Sequence, residues 1–137
     1  MIQMVNPYLH FRGNCETAFK FYEQVLGGKI GMMMRFNETP MAKETPAAMQ
    51  NQVVHVRMTV GNSVLMGADA PPDRYSPPQG FSVSISVDKP ADAERIFHAL
   101  AEKGTVGMPI QETFWAQRFG MLVDRFGIPW MVNCEKN

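Results

Sequence analysis

The residues best equipped for chemistry are Tyr8, His10, His55, Arg57, Glu112, Trp115, Met131 and Asn133. His55 and Arg57 are two apart, so on a strand they share a face. Arg can grip a carboxylate or phosphonate with two parallel hydrogen bonds, and His is the side chain that exchanges a proton near neutral pH. An exposed polar strand face accounts for the same pair equally well. Tyr8 and His10 have the same spacing. Glu112 becomes a general base where desolvation raises its pKa, whereas pairing with a cation such as Arg118 removes that role. His55 and Glu112 are therefore the two candidates for catalysis. Trp115 lies beside an expected bend and would wall a pocket, with Met131 and Asn133 on a strand close by in sequence.

Other motifs are few. Cys15 falls at the start of an expected helix, where the dipole lowers a thiol pKa, but no matched His accompanies it. There is no Gly-rich phosphate cradle, Ser-His-Asp arrangement or paired-cysteine motif. Lys plus Arg and Asp plus Glu are each 13, giving zero formal charge and no basic stripe, so neither nucleic acid nor a membrane surface is an expected partner. The N-terminal MIQMVNPYLHF has no secretion-signal pattern and no apolar run reaches bilayer length, which predicts a cytoplasmic protein. Cys15 and Cys134 are expected as reduced thiols. The 12 methionines read mainly as irregular core filling, with the lining of an adaptable pocket as the alternative.

The elements that must position these residues follow from periodicity. Pro7 to Phe11 predicts a strand. Asn14 is the expected N-cap of a helix carrying Ala18, Phe19, Tyr22, Val25 and Leu26, stopped by Gly27-Gly28. Lys29 to Phe36 predicts a strand, and Asn37 to Asn51 a long loop of the kind that often covers a site. Val53 to Val60 alternates, with His55, Arg57 and Thr59 opposite Val54, Val56, Met58 and Val60, and Ser63 to Ala68 pairs back on it. A Pro-rich linker spans 70–79. The pattern then repeats. Phe81 to Val87 is a strand with Ser82, Ser84 and Ser86 on one face. Pro90 opens a helix carrying Ala93, Ile96, Phe97 and Leu100, with Gly104 as its stop and His98 exposed. A hairpin follows, with runs Phe119 to Val123 and Ile128 to Cys134 around the turn Asp124-Arg125-Phe126-Gly127; the parity of Trp130 with Ile128 and Val132 predicts a core position. Asn14 and Asp88 are 74 apart, Gly28 and Gly104 76 apart, so the chain reads as a duplication. The expected fold is α+β in one domain of two βαβββ modules, about 5–69 and 80–134, forming a curved mixed sheet around a cleft. A half-barrel with exposed edges is expected to form a homodimer.

The segments GNCETAFKFYEQVLGG, ETFWAQRFG and DRFGIPWMVN resemble the PhnB-like branch of the vicinal oxygen chelate superfamily, the glyoxalase, bleomycin resistance protein and dioxygenase group, over Pro7 to Asn133. The resemblance implies the duplicated βαβββ fold. In its metal-dependent members, His, Gln or Glu on the first and last strands of each unit hold a divalent metal that polarises vicinal oxygens. Counting from the turns puts Pro7, Ser82, Met131 and one of Leu65, Met66 or Gly67 at those positions. None is a usual ligand for such a cation, so no metal and no other cofactor is expected. If Leu9 and Phe11 face the helix instead, Tyr8 and His10 turn to the cleft, and His10 with His55 becomes a shifted ligand pair. Some members of the branch carry a 3-demethylubiquinone methyltransferase label, but no Gly-rich loop for a methyl donor is present. The expected function is binding of a small apolar or aromatic ligand, with Tyr8, His10, His55, Arg57, Trp115, Met131 and Asn133 in contact. The alternative is a metal-dependent glyoxalase- or dioxygenase-type enzyme using ligands such as His10 and His55.

Overall fold

The computed structural model describes residues 1–137, and the chain divides into two compact units, Met1–Ser76 and Pro77–Asn137. In the first, β1 (Tyr8–Phe11), α1 (Cys15–Leu26), β2 (Lys29–Arg35), β3 (Val53–Val60) and β4 (Ser63–Asp69) build one sheet in the order β1-β4-β3-β2. In the second, β5 (Val83–Val87), α2 (Pro90–Ala101), β6 (Thr105–Gln111), β7 (Ala116–Val123) and β8 (Pro129–Glu135) repeat it in the order β5-β8-β7-β6. β1 runs parallel to β4 and β5 to β8, and the remaining pairs are antiparallel, so both sheets are mixed. This is the expected α+β class, with one βαβββ unit in each half. The second unit's first strand begins at Val83 rather than Phe81, whose ring is 59% exposed.

Each helix covers one face of its sheet. α1 buries Cys15, Ala18, Phe19 and Tyr22, and α2 buries Ala93, Ile96, Phe97 and Leu100. Burying a large apolar side chain contributes roughly 1.5–3 kcal/mol, so each four-residue stripe suffices to fix its helix. Close packing needs glycine in the sheet beneath. A Cβ on Gly67 would lie 2.6 Å from the Phe19 ring, and one on Gly120 would lie 2.6 Å from the Phe97 ring. Gly28 and Gly104 are a second matched pair, each pressed against a strand carbonyl, that of Thr59 and of Val123 respectively.

That contact corrects the expected role of Gly104. α2 ends at Ala101, and it is Lys103 that takes the left-handed conformation, with φ 61°. Gly104 is there because no Cβ fits. α1 does end as expected, on Gly27 with φ 69°. The expected N-cap, Asn14, makes no side-chain cap bond. Asp69 replaces it. This carboxylate, 4% exposed, accepts hydrogen bonds from the backbone N–H of Gly13 (2.8 Å), Cys15 (3.0 Å) and Val53 (3.0 Å). It satisfies donors at the helix start where the dipole favours negative charge. On the outside of α1, Glu16 takes two hydrogen bonds from Arg35, of 3.0 and 2.8 Å, and pairs with Lys20 at 3.0 Å. These partners hold its carboxyl at about 2, below the usual carboxylate range, chiefly through the Arg35 hydrogen bonds.

The hairpin turn falls where expected, with Gly127 at φ 88° and its N–H donating to the Asp124 carbonyl at 2.9 Å. The buried Asp124 carboxylate takes hydrogen bonds from the Phe126 and Ile128 N–H groups and from Trp130 Nε1 (2.8, 3.0 and 2.8 Å). Trp130 is buried core, as its parity predicts. The outer strands share one irregularity: register slips between Ile30 and Met32 in β2 and between Val106 and Met108 in β6, placing Gly31 and Gly107 in bulges. No helix is long and apolar enough to cross a membrane.

Candidate functional site

The face of the first sheet opposite α1 gathers four of the expected site residues. Leu9 and Phe11 are 3% and 1% exposed, so β1 turns these two inward and presents Tyr8 and His10 on the other side. The count that placed Pro7 at this position is thereby corrected: Pro7 precedes the strand. Register then lines up two rows across the sheet. One runs Tyr8, Met66, Arg57, Met32; the other holds the pairs His10–Ala68 and His55–Met34, next to the Val56–Gly67 pairing. Tyr8 is the centre of the second row's chemistry. Its hydroxyl lies 3.0 Å from His55 Nδ1, and its ring centroid is 5.3 Å from that of His10 and 5.7 Å from that of His55. Burial, with the nearby Cys15 thiol, raises the Tyr8 phenol above its ordinary value, so the hydroxyl keeps its proton.

Arg57 is half-buried between Met66 and Met32, and its side chain forms no hydrogen bond or ion pair within the chain. Neither row contains a carboxylate. A guanidinium in that state is unusual, because a partly desolvated charge ordinarily finds a partner.

In the second unit, the face opposite α2 carries Ser84 and Ser86 from β5, Met131 and Asn133 from β8, and Met121 and Phe119 from β7. The Asn133 Oδ1 atom is buried and accepts no hydrogen bond. Trp115 packs edge-on to Phe114 and Phe119, with centroids at 4.8 and 5.3 Å, and remains 45% exposed. Glu112 is corrected in its partner. It pairs with Lys136 at 3.2 Å, while Arg118 binds Glu94 at 3.0 Å and the Gln117 carbonyl at 2.7 Å. With its carboxylate largely in solvent, Glu112 lacks the desolvated setting of a general base. Cys15 is also corrected: burial, then Asp69 and Glu16, push its thiol far above the ordinary range, so the thiolate is disfavoured despite the helix start. Cys134 is buried too, and His98 pairs with Glu94 at 3.1 Å on the surface of α2.

The long loop folds into 3-10 turns, Phe36–Glu38, Pro40–Glu44 and Ala47–Met49, and helps form a cavity of about 400 Å³ lined by Phe36, Met41, Met49, Pro71 and Arg74 among others. None of the residues singled out for chemistry lines it. The cavity and the residues on the sheet face are thus separate features of the first unit, and the unpaired charge favours the sheet. The length and the Pro and Met content of the loop were the only sequence signals for the cavity.

The first and last strands of each unit supply Tyr8, His10, Met66 and Ala68 in one half, and Ser84, Ser86, Met131 and Asn133 in the other, on the helix-free faces. Neither set by itself, one imidazole with a phenol and a thioether in the first or two hydroxyls with a thioether and an amide in the second, fits a hard or borderline divalent cation, and no three His, Cys, Asp or Glu side chains converge.

The fold is that of the vicinal oxygen chelate proteins. The glyoxylase/bleomycin resistance protein/dioxygenase domain from Frankia sp. EAN1pec superposes with a TM-score of 0.66 at 15% identity over 99% of both chains, a likeness of fold alone. Residues 3–133 match the family described as 3-demethylubiquinone-9 3-methyltransferase, and the chain belongs to this family, the PhnB-like branch of that superfamily. It is 34% identical over 140 residues to Protein YjdN of Escherichia coli (strain K12), covering 96% of this chain and 95% of that one. The crystal structure of PA1353 from Pseudomonas aeruginosa matches with TM-score 0.90 and 46% identity over 99% of this chain and 100% of that one. The PhnB protein from Bacillus cereus matches at 0.79 and 23%, over 96% and 99%. The strand-to-helix turns, Arg12-Gly13-Asn14 and Asp88-Lys89, hold one glycine between them.

Proposed function

We propose that this protein binds a small apolar or aromatic molecule on its helix-free sheet faces, without a metal at the positions its superfamily uses. The observation that carries the proposal is the surface formed by Met32, Met34, Met66 and the Tyr8 ring. Thioethers and an aromatic ring make a polarizable, adaptable contact for an aromatic body, and the few polar groups around them would orient it. Asn133 Oδ1 supports the same role for the second unit, because a buried acceptor gains on the order of 1–3 kcal/mol when a donor reaches it. Contacts from His10, Trp115 and Met131 belong to this proposal. So does a cytoplasmic homodimer, supported by the two edge strands each sheet leaves unpaired.

Methyl-labelled methionine NMR tests the proposal directly. Naphthalene-class compounds are expected to shift the Met32, Met34 and Met66 methyl signals, and to raise the melting temperature as any native-state ligand does. Metal analysis of protein purified without chelator supplies the opposing outcome. Stoichiometric metal that disappears in both His10→Ala and His55→Ala would overturn the metal-free proposal in favour of shifted ligands.

A further inference from the structure

We propose that the ligand of the first sheet carries an oxyanion, a carboxylate or phosphonate, held jointly by the Arg57 guanidinium and the Nε2–H of His55; this rests on the binding function proposed above. Three observations converge on it. Arg57 is half-buried with no partner of its own, and the two rows of side chains around it contain no acid. An incoming anion would therefore meet an uncompensated positive charge, and charge-assisted hydrogen bonds to a guanidinium are among the stronger polar contacts. His55 lies two residues away on the same strand face, roughly 7 Å along the strand, within reach of a second oxygen of the same group or of one next to it.

Tyr8 decides what His55 offers. In the proposed arrangement the Tyr8 hydroxyl donates to Nδ1 across the observed 3.0 Å, which leaves a ring proton on Nε2. That assignment has Nδ1 accept from the protein and Nε2 donate to the ligand. Tyr8 is thus a positioning residue for His55 as well as part of the apolar contact surface. Around these donors, Met32, Met34 and Met66 provide apolar surface for the body of the ligand.

The test compares three probes of one body, 2-naphthoate, 2-naphthylphosphonate and neutral 2-naphthalenemethanol, by calorimetric titration of the full chain. At least one anion is expected to bind about tenfold tighter than the alcohol, the ratio a single charge-assisted bond supplies. Whichever anion wins distinguishes a trigonal from a tetrahedral head group. Arg57→Gln is expected to abolish the preference and Arg57→Lys to keep part of it. In Tyr8→Phe, 15N NMR of His55 is expected to show mixed tautomers in place of the Nε2–H form, together with a weakened preference. Equal binding of anion and alcohol, or a preference that survives Arg57→Gln, overturns the oxyanion assignment and leaves the apolar binding function standing. If none of the three probes binds, both fall together.

Discussion

The two βαβββ units share a scaffold and differ in what they display. Toward their helices they are nearly interchangeable: Phe19 sits on Gly67 as Phe97 sits on Gly120, and Gly28 and Gly104 each press on a strand carbonyl. On the opposite face the first unit shows Tyr8, His10, His55 and Arg57, whereas the second shows Ser84, Ser86, Met131 and Asn133. The helix-facing side is constrained by packing, where one added methyl group must displace a neighbour. The other side carries no such constraint and is where the two halves specialise. The first half holds the unpaired charge and the second an unsatisfied acceptor.

Substitutions can break this comparison at several levels. The largest effects are expected at the two buried carboxylates, Asp69 and Asp124, each of which takes three N–H hydrogen bonds. Asp69→Ala and Asp124→Ala should each cost ~3–5 kcal/mol in urea denaturation, because several buried donors lose their acceptor at once. The Asn variants, which retain one acceptor oxygen, should cost clearly less. A loss below about 1 kcal/mol for either Ala variant would show that its donors find water instead. Next come Gly28→Ala and Gly104→Ala, each expected to cost ~1–3 kcal/mol. Gly104 should be the worse, since its obstacles are all backbone atoms of Val123 and Asp124, while Gly28 also meets the side chains of Val60 and Met58. The reverse order would mean the second unit relaxes more readily than the first.

The smallest effect is expected at Glu16. Its carboxyl is held at about 2, so the stabilisation is complete above the unfolded value of about 4.3 and is lost as pH falls toward 2. The pair with Arg35 is one-third exposed, so Glu16→Gln should cost no more than ~1 kcal/mol at pH 7 and nothing near pH 2. A difference that grows on acidification would contradict the pairing.

Much of the scaffold was legible in the sequence because it is written in local periodicity. Val53 to Val60 alternates and forms a strand with those bounds, and the apolar spacing in both helices names their buried residues. The register of β1 was open between two choices because four residues, YLHF, offer aromatic or apolar bodies on both faces; packing of Leu9 and Phe11 under α1 settles it. The roles of Asp69 and Asp124 were not legible. Asp69 works by reaching donors as far as 54 and 56 residues away, and the Asp124 turn looked complete with Gly127 alone. The same reasoning explains the miss at Glu112, whose partner Lys136 comes from beyond the end of β8. The shared face of His55 and Arg57 was legible because spacing places them there; that Tyr8 would meet His55, 47 residues distant, required the parallel pairing of β1 with β4.

The bulges at Gly31 and Gly107 bear on what the sheet edges offer to another strand. β2 and β6 are each one of the two outer strands of their sheet, and a regular outer strand is a template on which other chains can polymerise. An extra residue breaks the repeat of backbone donors and acceptors and twists the strand, so an approaching chain cannot match it over its length. The matched irregularities at Gly31 and Gly107 therefore interrupt one edge of each sheet at the same place.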